Sequence, residues 1–295
     1  MNTKTQIGIL GVGAIGTVIA CYLNKKTGNE LFYFSRTKKE QLKLITHNAS
    51  LCTAIETHTS NSKIHQLDWL IICIKAHQYE GAKHWFTPLI QPKTKVVVIR
   101  NGLQLKEPIL PFTSEQNILE CIIDCPTELV KNKYYKTLKT PLLTVPKSTL
   151  ANTFELLFNT SEIDILQVQD FKTQCWKKLC ESATLGAILC LHNDTCRIFK
   201  SKSVQKQYRN LIAETIKVAV ADGAKIEANF SNNILTKILN YPDTKGSSML
   251  TDLRNNKLLE LDAKNGIISQ LGKQYNIETR LNDSIIIKLK SEIKN

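Results

Sequence analysis

The sequence predicts an α/β protein in which an N-terminal doubly wound sheet is followed by an all-helical C-terminal domain. Two observations support this prediction. Short apolar runs alternate with helical stretches through the first half of the chain, and the strand signal ends near Val168, after which apolar residues recur at spacings of three and four. A chain of 295 residues is long enough for two domains. We therefore assign residues 1–168 to the first domain and residues 169–295 to the second.

The first half has the alternation of strands and helices that is typical of a doubly wound parallel sheet. The predicted strands are Gln6–Gly11, Glu30–Ser35, Leu51–Glu56, Trp69–Lys75 and Lys95–Arg100, and the predicted helices are Ala14–Lys25 and a segment between His77 and Ile90. Strand-like pieces interrupted by prolines follow from Asn117 to Val145. We expect these pieces to form an antiparallel extension of the sheet.

The second half shows only helical spacing of its apolar residues. The predicted helices are Phe171–Leu191, Ser203–Asp222, Ser231–Leu239, Thr251–Gln274 and Asp283–Ile293. Because no strand pattern interrupts them, we expect the second domain to be helical throughout.

A glycine motif of the form GxGxxG stands directly after the first strand and opens the first helix. In a Rossmann-type fold its glycines permit a tight turn, close approach of the backbone to a pyrophosphate, and close packing of helix on strand. The strand before it and the strand that follows the helix favour a dinucleotide-binding loop over a purely structural glycine turn. The predicted cofactor-binding residues of this loop are Gly11, Val12, Gly13, Ala14, Ile15 and Gly16.

Arg36 follows the second strand, at the place where an acidic residue would bind the ribose of NAD. A guanidinium group pairs with phosphate through two parallel hydrogen bonds, so Arg36, with Lys38 and Lys39 close behind it, favours the 2′-phosphate of NADPH or NADP. The alternative interpretation is that Arg36 is a solvated loop residue.

The composition limits the partners. The net charge is +13, but the lysines are spread along the chain, so small phosphorylated or carboxylated ligands fit better than nucleic acid.

No apolar run approaches the roughly 20 residues of a membrane span, and the polar start does not resemble a secretory signal, so we expect a cytoplasmic protein without a membrane partner. Nine cysteines, mostly within apolar runs, indicate buried reduced thiols, and their spacing indicates no metal site.

Reduction of a carbonyl group by a nicotinamide requires an acid beside the carbonyl oxygen. In the predicted helix Phe171–Leu191, Lys178 borders the apolar stripe, whereas Lys177 points nearly the opposite way. Lys178 is therefore the candidate donor. A lysine whose stem covers apolar surface while its ammonium reaches solvent explains the spacing equally well.

Two further candidates are less specific. Glu260 lies among leucines, but Glu260 and Lys264 are four residues apart, and spacing alone favours an ordinary surface pair on a helix. Asn101 directly follows a predicted strand, where ligands bind in parallel sheets, yet Asn-Gly is also a common turn.

Seven segments together resemble the ketopantoate reductase family, the NADPH-dependent 2-dehydropantoate 2-reductases, and the resemblance covers nearly the whole chain. The last three of them are the specific ones, because they follow a Rossmann domain in this order and spacing. The segments are GILGVGAIG at Gly8–Gly16, Arg36, IKAHQ at Ile74–Gln78, RNG at Arg100–Gly102, WKKL at Trp176–Leu179, SSMLTDL at Ser247–Leu253 and ELDAKNG at Glu260–Gly266.

The resemblance implies a role for each candidate. Lys178 is similar to the general acid that protonates the carbonyl oxygen as hydride reaches C2, and Glu260 resembles the glutamate that helps to hold the substrate and the ammonium. Ser248 matches the serine that contacts the substrate carboxylate. Lys75 and Asn101 match positions near the nicotinamide and the substrate.

Ser182 and Gly186 depart from the family, which often carries asparagines at these two positions of the substrate pocket. The serine keeps one short polar group and the glycine keeps none. We expect reduction of 2-dehydropantoate to (R)-pantoate by NADPH, in the synthesis of pantothenate and coenzyme A. The alternatives are reduction of another branched 2-oxo acid, and a non-catalytic NADP-binding regulatory protein. A homodimer is compatible with the sequence.

Overall fold

The computed structural model describes residues 4–47, 49–60, 66–130, 134–159 and 162–293. The chain divides into two compact units, Met1–Phe171 and Lys172–Asn295. The boundary that we assigned from the sequence, after residue 168, lies a few residues before this division.

The first unit is built on an eight-stranded sheet. Its strands are β1 (Thr5–Leu10), β2 (Asn29–Phe34), β5 (Thr57–His58), β6 (Trp69–Ile72), β7 (Lys95–Ile99), β8 (Ile118–Asp124), β11 (Leu142–Pro146) and β12 (Asp164–Val168). They lie in the order β12-β11-β8-β7-β6-β1-β2-β5. The pairs from β8 to β5 are all parallel, and β11 runs antiparallel to β8. This is the doubly wound sheet that the sequence predicted, with an antiparallel edge.

A second, four-stranded sheet corrects two predictions. Its strands, β3 (Gln41–Ile45), β4 (Ser50–Ala54), β9 (Thr127–Val130) and β10 (Tyr134–Thr137), lie in the order β4-β3-β10-β9. The predicted strand Leu51–Glu56 lies in this sheet as β4, antiparallel to β3. The exposure of its residues alternates, as in a sheet with one covered face. The predicted antiparallel extension Asn117–Val145 is instead divided between the two sheets, and β8 within it is parallel. Residues 131–133 of that segment lie outside the described residues.

The helices of the first unit are α1 (Ala14–Leu23), α2 (Tyr79–Leu89) and α3 (Thr149–Glu155). Helix α1 packs on strands of both sheets, and its residues Val18, Ile19 and Leu23 have no exposed surface. Burial of each such side chain contributes about 1.5–3 kcal/mol. This packing fixes the start of α1, and with it the glycine loop, against the main sheet.

The second unit is helical throughout its described residues. Its α-helices are α4 (Phe171–Leu191), α5 (Lys202–Ala221), α6 (Phe230–Leu239), α7 (Ser248–Arg254), α8 (Ile267–Gln274) and α9 (Arg280–Ile293). A 3₁₀ helix at Cys196–Lys200 and a π-helix at Asp262–Gly266 complete it. The bounds of α4 agree with the prediction, whereas α9 begins before the predicted Asp283.

The predicted single helix Thr251–Gln274 is wrong, because the chain leaves the helix after Arg254. Asn256 takes a left-handed conformation with φ of 52°, and the N–H of Lys257 bonds to the carbonyl of Asp252 at 2.9 Å. This pattern is a common way to end a helix at an asparagine. Leu258, one of the leucines near Glu260 in the predicted helix, is 65% exposed as a result.

All nine cysteines lie within the described residues and each is a free thiol; Cys52 is exposed and most others are buried. Across the described ranges we find no group of three or more His, Cys, Asp or Glu side chains arranged to hold a metal ion. Every helix in that part of the chain is too short or too polar to cross a membrane.

Candidate active site

The glycine loop lies between β1 and α1 and has the shape of an anion-binding turn. Gly11 has φ of +94°, which side chains other than hydrogen rarely permit. A Cβ on Gly16 would come within 1.9 Å of the carbonyl oxygen of Gly11, so only glycine lets α1 lie this close to the loop. A Cβ on Gly13 would meet nothing within 4 Å, and the space beside Gly13 is therefore open.

Helix α1 begins without a competing group. No described side chain caps its N-terminus, and its first turn contains no acidic residue. The first N–H groups of a helix have no partner within the helix, and the positive end of the helix dipole favours an anion there. The loop thus fits the pyrophosphate of a dinucleotide, in the crevice where the chain switches from one side of β1 to the other.

Arg36 lies at an exposed turn directly after β2. The turn is closed by Ser35, whose hydroxyl donates to the carbonyl of Thr37 at 2.5 Å and accepts from the N–H of Thr37 at 3.2 Å. The turn fixes the backbone on both sides of Arg36, and the residue is exposed at the carboxyl end of β2. That position is where the ribose end of a bound dinucleotide is recognised in Rossmann-type folds.

Lys75 and Asn101 follow the next two parallel strands, β6 and β7. The N–H of Lys75 donates to Oε1 of Gln78 at 2.9 Å, which starts a short 3₁₀ helix at Ala76. Oδ1 of Asn101 accepts from the N–H of Ile123 on β8 at 3.2 Å. The oxygen of the Asn101 side chain is thereby used, whereas its amide nitrogen, a donor, makes no hydrogen bond with a described residue. Glycine loop, Lys75 and Asn101 share the carboxyl edge of one sheet.

Gln78 and Arg100 support these two residues and were missed by sequence reasoning. Gln78 stands in the quoted motif IKAHQ, but its bond to the backbone of Lys75 was not foreseen. One terminal nitrogen of Arg100 donates to the carbonyls of Leu103 and Gln104 at 3.1 and 2.7 Å, which closes the loop around Asn101.

Helix α4 separates two adjacent lysines. Lys177 forms an ion pair with Glu227 at 2.5 Å, and its side chain is 24% exposed. Lys178 is half-buried as well, on another side of the helix, and Trp176, the residue before the pair, is fully buried. Burial therefore does not separate the two lysines as the helical spacing predicted, and the choice of Lys178 stays a prediction. The expected single apolar stripe was also too narrow, because residues 183–190 are buried on all sides of α4.

Ser182 and Gly186 lie one and two turns beyond Lys178, on the same side of α4. Oγ of Ser182 is buried, and no described residue makes a hydrogen bond with it. Gly186 is covered by Met249 of α7: a Cβ on Gly186 would lie 3.5 to 3.7 Å from the Cβ, Cε and Sδ atoms of Met249. An apolar side chain therefore occupies the space next to this position.

Ser248 is the first residue of α7 and is exposed. Its neighbour Ser247 is the capping residue, whose hydroxyl accepts from the N–H of Leu250 at 3.1 Å. Ser247 is therefore used by the helix cap, whereas Ser248 is exposed, and its contact with a substrate stays a prediction. Since Met249 packs over Gly186, the start of α7 lies against the same part of α4 as the asparagine positions of the family.

Glu260 stands in the irregular segment between α7 and the π-helix, half-buried and outside any helix. Lys264 within the π-helix is buried, so the expectation of an exposed helical pair of Glu260 and Lys264 is wrong. Isolated π-turns often occur at functional sites. The next residue, Asn265, is fully buried and donates from Nδ2 to Oδ1 of Asn282 at 2.8 Å, which ties this segment to α9.

The sheet and the glycine loop define the first unit as a Rossmann-type dinucleotide-binding fold, followed by a helical unit, as in many oxidoreductases that use a nicotinamide. Residues 7–141 match the family described as ketopantoate reductase PanE/ApbA, and residues 170–292 match the C-terminal domain of the same family. The chain belongs to the ketopantoate reductase family and is an oxidoreductase.

Known proteins similar to this chain match it over nearly the full length of both chains. A 2-dehydropantoate 2-reductase of Caulobacter vibrioides is 25% identical over 285 residues, which cover 97% of this chain and 98% of that protein. A dimeric ketopantoate reductase from Staphylococcus aureus has a TM-score of 0.88 at 24% identity, over 98% of this chain and 99% of that one. D-mandelate dehydrogenase with NADH and anilino(oxo)acetate has a TM-score of 0.87 at 20% identity, over 98% and 99%.

Proposed function

We propose that this protein reduces 2-dehydropantoate to (R)-pantoate with NADPH, in the synthesis of pantothenate and coenzyme A in the cytoplasm. The observation that carries the proposal is the side of α4 that Lys178 shares with Ser182, whose buried Oγ makes no hydrogen bond with a described residue. Lys177 projects from another side of the helix, where it pairs with Glu227. Membership of the ketopantoate reductase family supports a 2-oxo acid as substrate.

The first unit holds the cofactor in this proposal. The glycine loop and the start of α1 bind the pyrophosphate, and Gly13 leaves room for it. Arg36 pairs with the 2′-phosphate, which makes NADPH the preferred cofactor over NADH. The amide nitrogen of Asn101 and the ammonium of Lys75 contact the nicotinamide end and the substrate.

The second unit supplies the acid. The cofactor, when bound, supplies hydride to C2 of the oxo acid. The ammonium of Lys178 donates a proton to the carbonyl oxygen as its negative charge develops, so that the C=O group becomes CH–OH, and Lys178 then recovers a proton from solvent. Glu260 orients the ammonium and the substrate, and the hydroxyl of Ser248 donates to the substrate carboxylate.

A second candidate function has its own observation. Gly186 is covered by Met249, and Ser182 replaces a longer amide, so this part of α4 offers few polar groups. An enzyme whose substrate pocket is lined by Ser182, Gly186 and Met249 would reduce a branched 2-oxo acid that lacks the terminal hydroxyl of 2-dehydropantoate. The reaction and the roles of Lys178 and Glu260 are the same for both candidates.

The experiment is a turnover assay with purified protein, NADPH and a panel of 2-oxo acids that includes 2-dehydropantoate, followed by loss of NADPH absorbance. We expect the highest kcat/KM with 2-dehydropantoate. Lys178→Ala should lower kcat by about 10²- to 10⁴-fold, the usual contribution of a general acid. Lys177→Ala, at the neighbouring position, is the matched control and should retain most of the activity.

Three results would contradict parts of the proposal. Turnover only with another 2-oxo acid would exclude the substrate and keep the reaction. NADPH binding without turnover of any oxo acid would favour the regulatory alternative. Equal losses in Lys177→Ala and Lys178→Ala would exclude Lys178 as the specific acid.

The related Staphylococcus aureus enzyme is described as dimeric. We propose a homodimer for this protein as well, to be tested by light scattering coupled to size-exclusion chromatography. A single species with the 33.3 kDa mass of one chain would contradict it.

A further inference from the structure

The ammonium of Lys39 lies against the glycine loop. Its Nζ atom donates to the carbonyl oxygen of Val12 at 2.5 Å, across 27 positions of sequence. Val12 stands between Gly11 and Gly13, at the point where the backbone turns from β1 into α1. A positive charge is therefore placed at the edge of the loop that fits a pyrophosphate.

The backbone of Lys39 is fixed, so this placement is not that of a mobile surface lysine. The N–H of Lys39 donates to Oγ1 of Thr57 at 2.7 Å, and the same hydroxyl donates back to the carbonyl of Lys39 at 3.2 Å. Thr57 is buried, on the strand next to β2. The ring of Tyr135 lies 5.8 Å from Nζ of Lys39, within the range of a cation–π contact.

Lys38, the preceding residue, has a different environment. Its ammonium lies 3.6 Å from Glu40, and the two side chains are 72% and 83% exposed. Such a pair contributes little to stability and is screened by salt. The sequence groups Lys38 with Arg36 as well, but in the structure its ammonium pairs with Glu40 at the surface, whereas that of Lys39 bonds to the glycine loop. This removes Lys38 from the candidate phosphate-binding residues and makes it the control for Lys39.

An ammonium that bonds to a neutral carbonyl can exchange it for a phosphate oxygen, because hydrogen bonds between two ions are shorter and stronger than those to neutral acceptors. The phosphates of a dinucleotide bound at α1 would lie beside Val12, and the 2′-phosphate at Arg36 would lie near the same turn. Both are phosphate groups of one ligand, and Lys39 is near both places, since its ammonium bonds to Val12 and its backbone lies three residues after Arg36.

We propose that Lys39 is a phosphate-binding residue of the dinucleotide site, whose ammonium moves from the carbonyl of Val12 to a phosphate oxygen when the cofactor binds. This inference rests on the nucleotide-binding part of the proposed function. It concerns binding alone and does not depend on which oxo acid is reduced.

The test is the Kd of NADPH and of NADH, measured by calorimetry at low and high salt for the wild type and three variants. Lys39→Gln should raise the Kd by about tenfold or more, as expected for a lost bond to a charged group. It should also weaken the dependence of Kd on salt. Lys38→Gln should change Kd by far less, and Lys39→Arg, which keeps the charge, should restore most of the binding.

Comparison of NADPH with NADH distinguishes the 2′-phosphate from the pyrophosphate as the group that Lys39 binds. A loss confined to NADPH assigns Lys39 to the 2′-phosphate, and an equal loss for NADPH and NADH assigns it to the pyrophosphate. Equal Kd values for Lys39→Gln and Lys38→Gln would overturn the proposal. A second result would also overturn it: Lys39→Gln binds the nucleotide more weakly, but its Kd keeps the salt dependence of the wild type and Lys39→Arg does not restore binding. Lys39 would then only support the structure of the loop. Wild-type turnover of 2-dehydropantoate tests the proposed function separately.

Discussion

The indole Nε1 of Trp176 donates a hydrogen bond of 2.7 Å to Oδ2 of Asp222, 46 residues further along the chain. The other oxygen of Asp222 accepts from the hydroxyl of Tyr275 at 2.7 Å. One carboxylate thus joins the first turns of α4 to the end of α5 and the end of α8. Because Trp176 precedes the two lysines of α4, this carboxylate also fixes the part of the helix from which Lys178 projects.

Replacement of Asp222 should destabilise the protein in a pH-dependent way. Burial alone would raise the pKa of Asp222, but the hydrogen bonds from Tyr275, Trp176 and Lys172 lower it below the ordinary 3.8. A depressed folded-state pKa contributes stability in full above the unfolded value, and this contribution is lost as the pH falls below about 4. We expect Asp222→Asn to lower the free energy of unfolding by about 1–3 kcal/mol at pH 7.

Urea denaturation at pH 7 and pH 3 measures this difference. The gap between wild type and Asp222→Asn should narrow at pH 3, because below about pH 4 the carboxylate of the unfolded wild type takes up a proton that the folded protein resists. Glu227→Gln is the control, since the Glu227 side chain is 58% exposed in its pair with Lys177, and it should change stability less than Asp222→Asn. A gap that stays constant between the two pH values would show that the charge of Asp222 is unimportant.

Two glycines of the loop should respond differently to the same substitution. Gly16→Ala places a Cβ within 1.9 Å of the backbone of Gly11, so the variant should lose both stability and nucleotide binding. Gly13→Ala meets no protein atom within 4 Å, so it should fold normally and lose affinity, because its methyl group enters the space proposed for the pyrophosphate. Melting temperature and NADPH affinity, measured on both variants, separate packing from binding.

The result for Gly13→Ala is the critical one of this pair. Affinity equal to that of the wild type would place the pyrophosphate elsewhere. A large fall in melting temperature would instead indicate that the open space beside Gly13 is required for folding.

The sequence was informative where a local pattern has one physical meaning. The GxGxxG motif between strand and helix led to the observed glycine turn, and the apolar spacing of residues 171–191 led to the observed bounds of α4. The sequence was uninformative where a structure depends on contacts between residues that are far apart in the chain. The strand after Leu51 gave no sign that it would pair in a second sheet, and Asn255 and Asn256 ended a helix that apolar spacing continued to Gln274. Contacts such as Trp176 with Asp222 depend on the packed helices and have no sequence signal of their own.

Cys52 should be the thiol that reacts rapidly in the folded protein. It is exposed on β4, whereas burial raises the pKa of Cys21 and of Cys180 to about 12. The thiolate is the reactive form, so buried thiols with a raised pKa react slowly. With an aromatic disulfide reagent near pH 8, we expect one rapid equivalent per chain, absent in Cys52→Ser and retained in Cys125→Ser. A rapid phase that persists in Cys52→Ser would contradict the described exposure.

The contact of Gly186 with Met249 predicts opposite effects of two substitutions. Gly186→Ala adds a methyl group at ordinary contact distance, 3.5 to 3.7 Å from Met249, and removes a glycine from a helix interior. It should therefore raise stability by about 0.5–1 kcal/mol. Gly186→Asn extends further, into the space that Met249 fills, and it buries an amide. It should lower stability by about 1–3 kcal/mol, as overpacking usually does.

The double variant Gly186→Asn/Met249→Ala tests whether this contact also sets substrate preference. Removing the methionine side chain gives the amide room, so the double variant should be more stable than Gly186→Asn alone. If position 186 faces the substrate, as the family resemblance implies, the asparagine amide should raise kcat/KM for 2-dehydropantoate relative to the same acid without its hydroxyl. Met249→Ala alone is the control, since it enlarges the space without a polar group. An unchanged ratio in a stable double variant would mean that the contact serves packing of α7 on α4 and leaves selectivity to other residues.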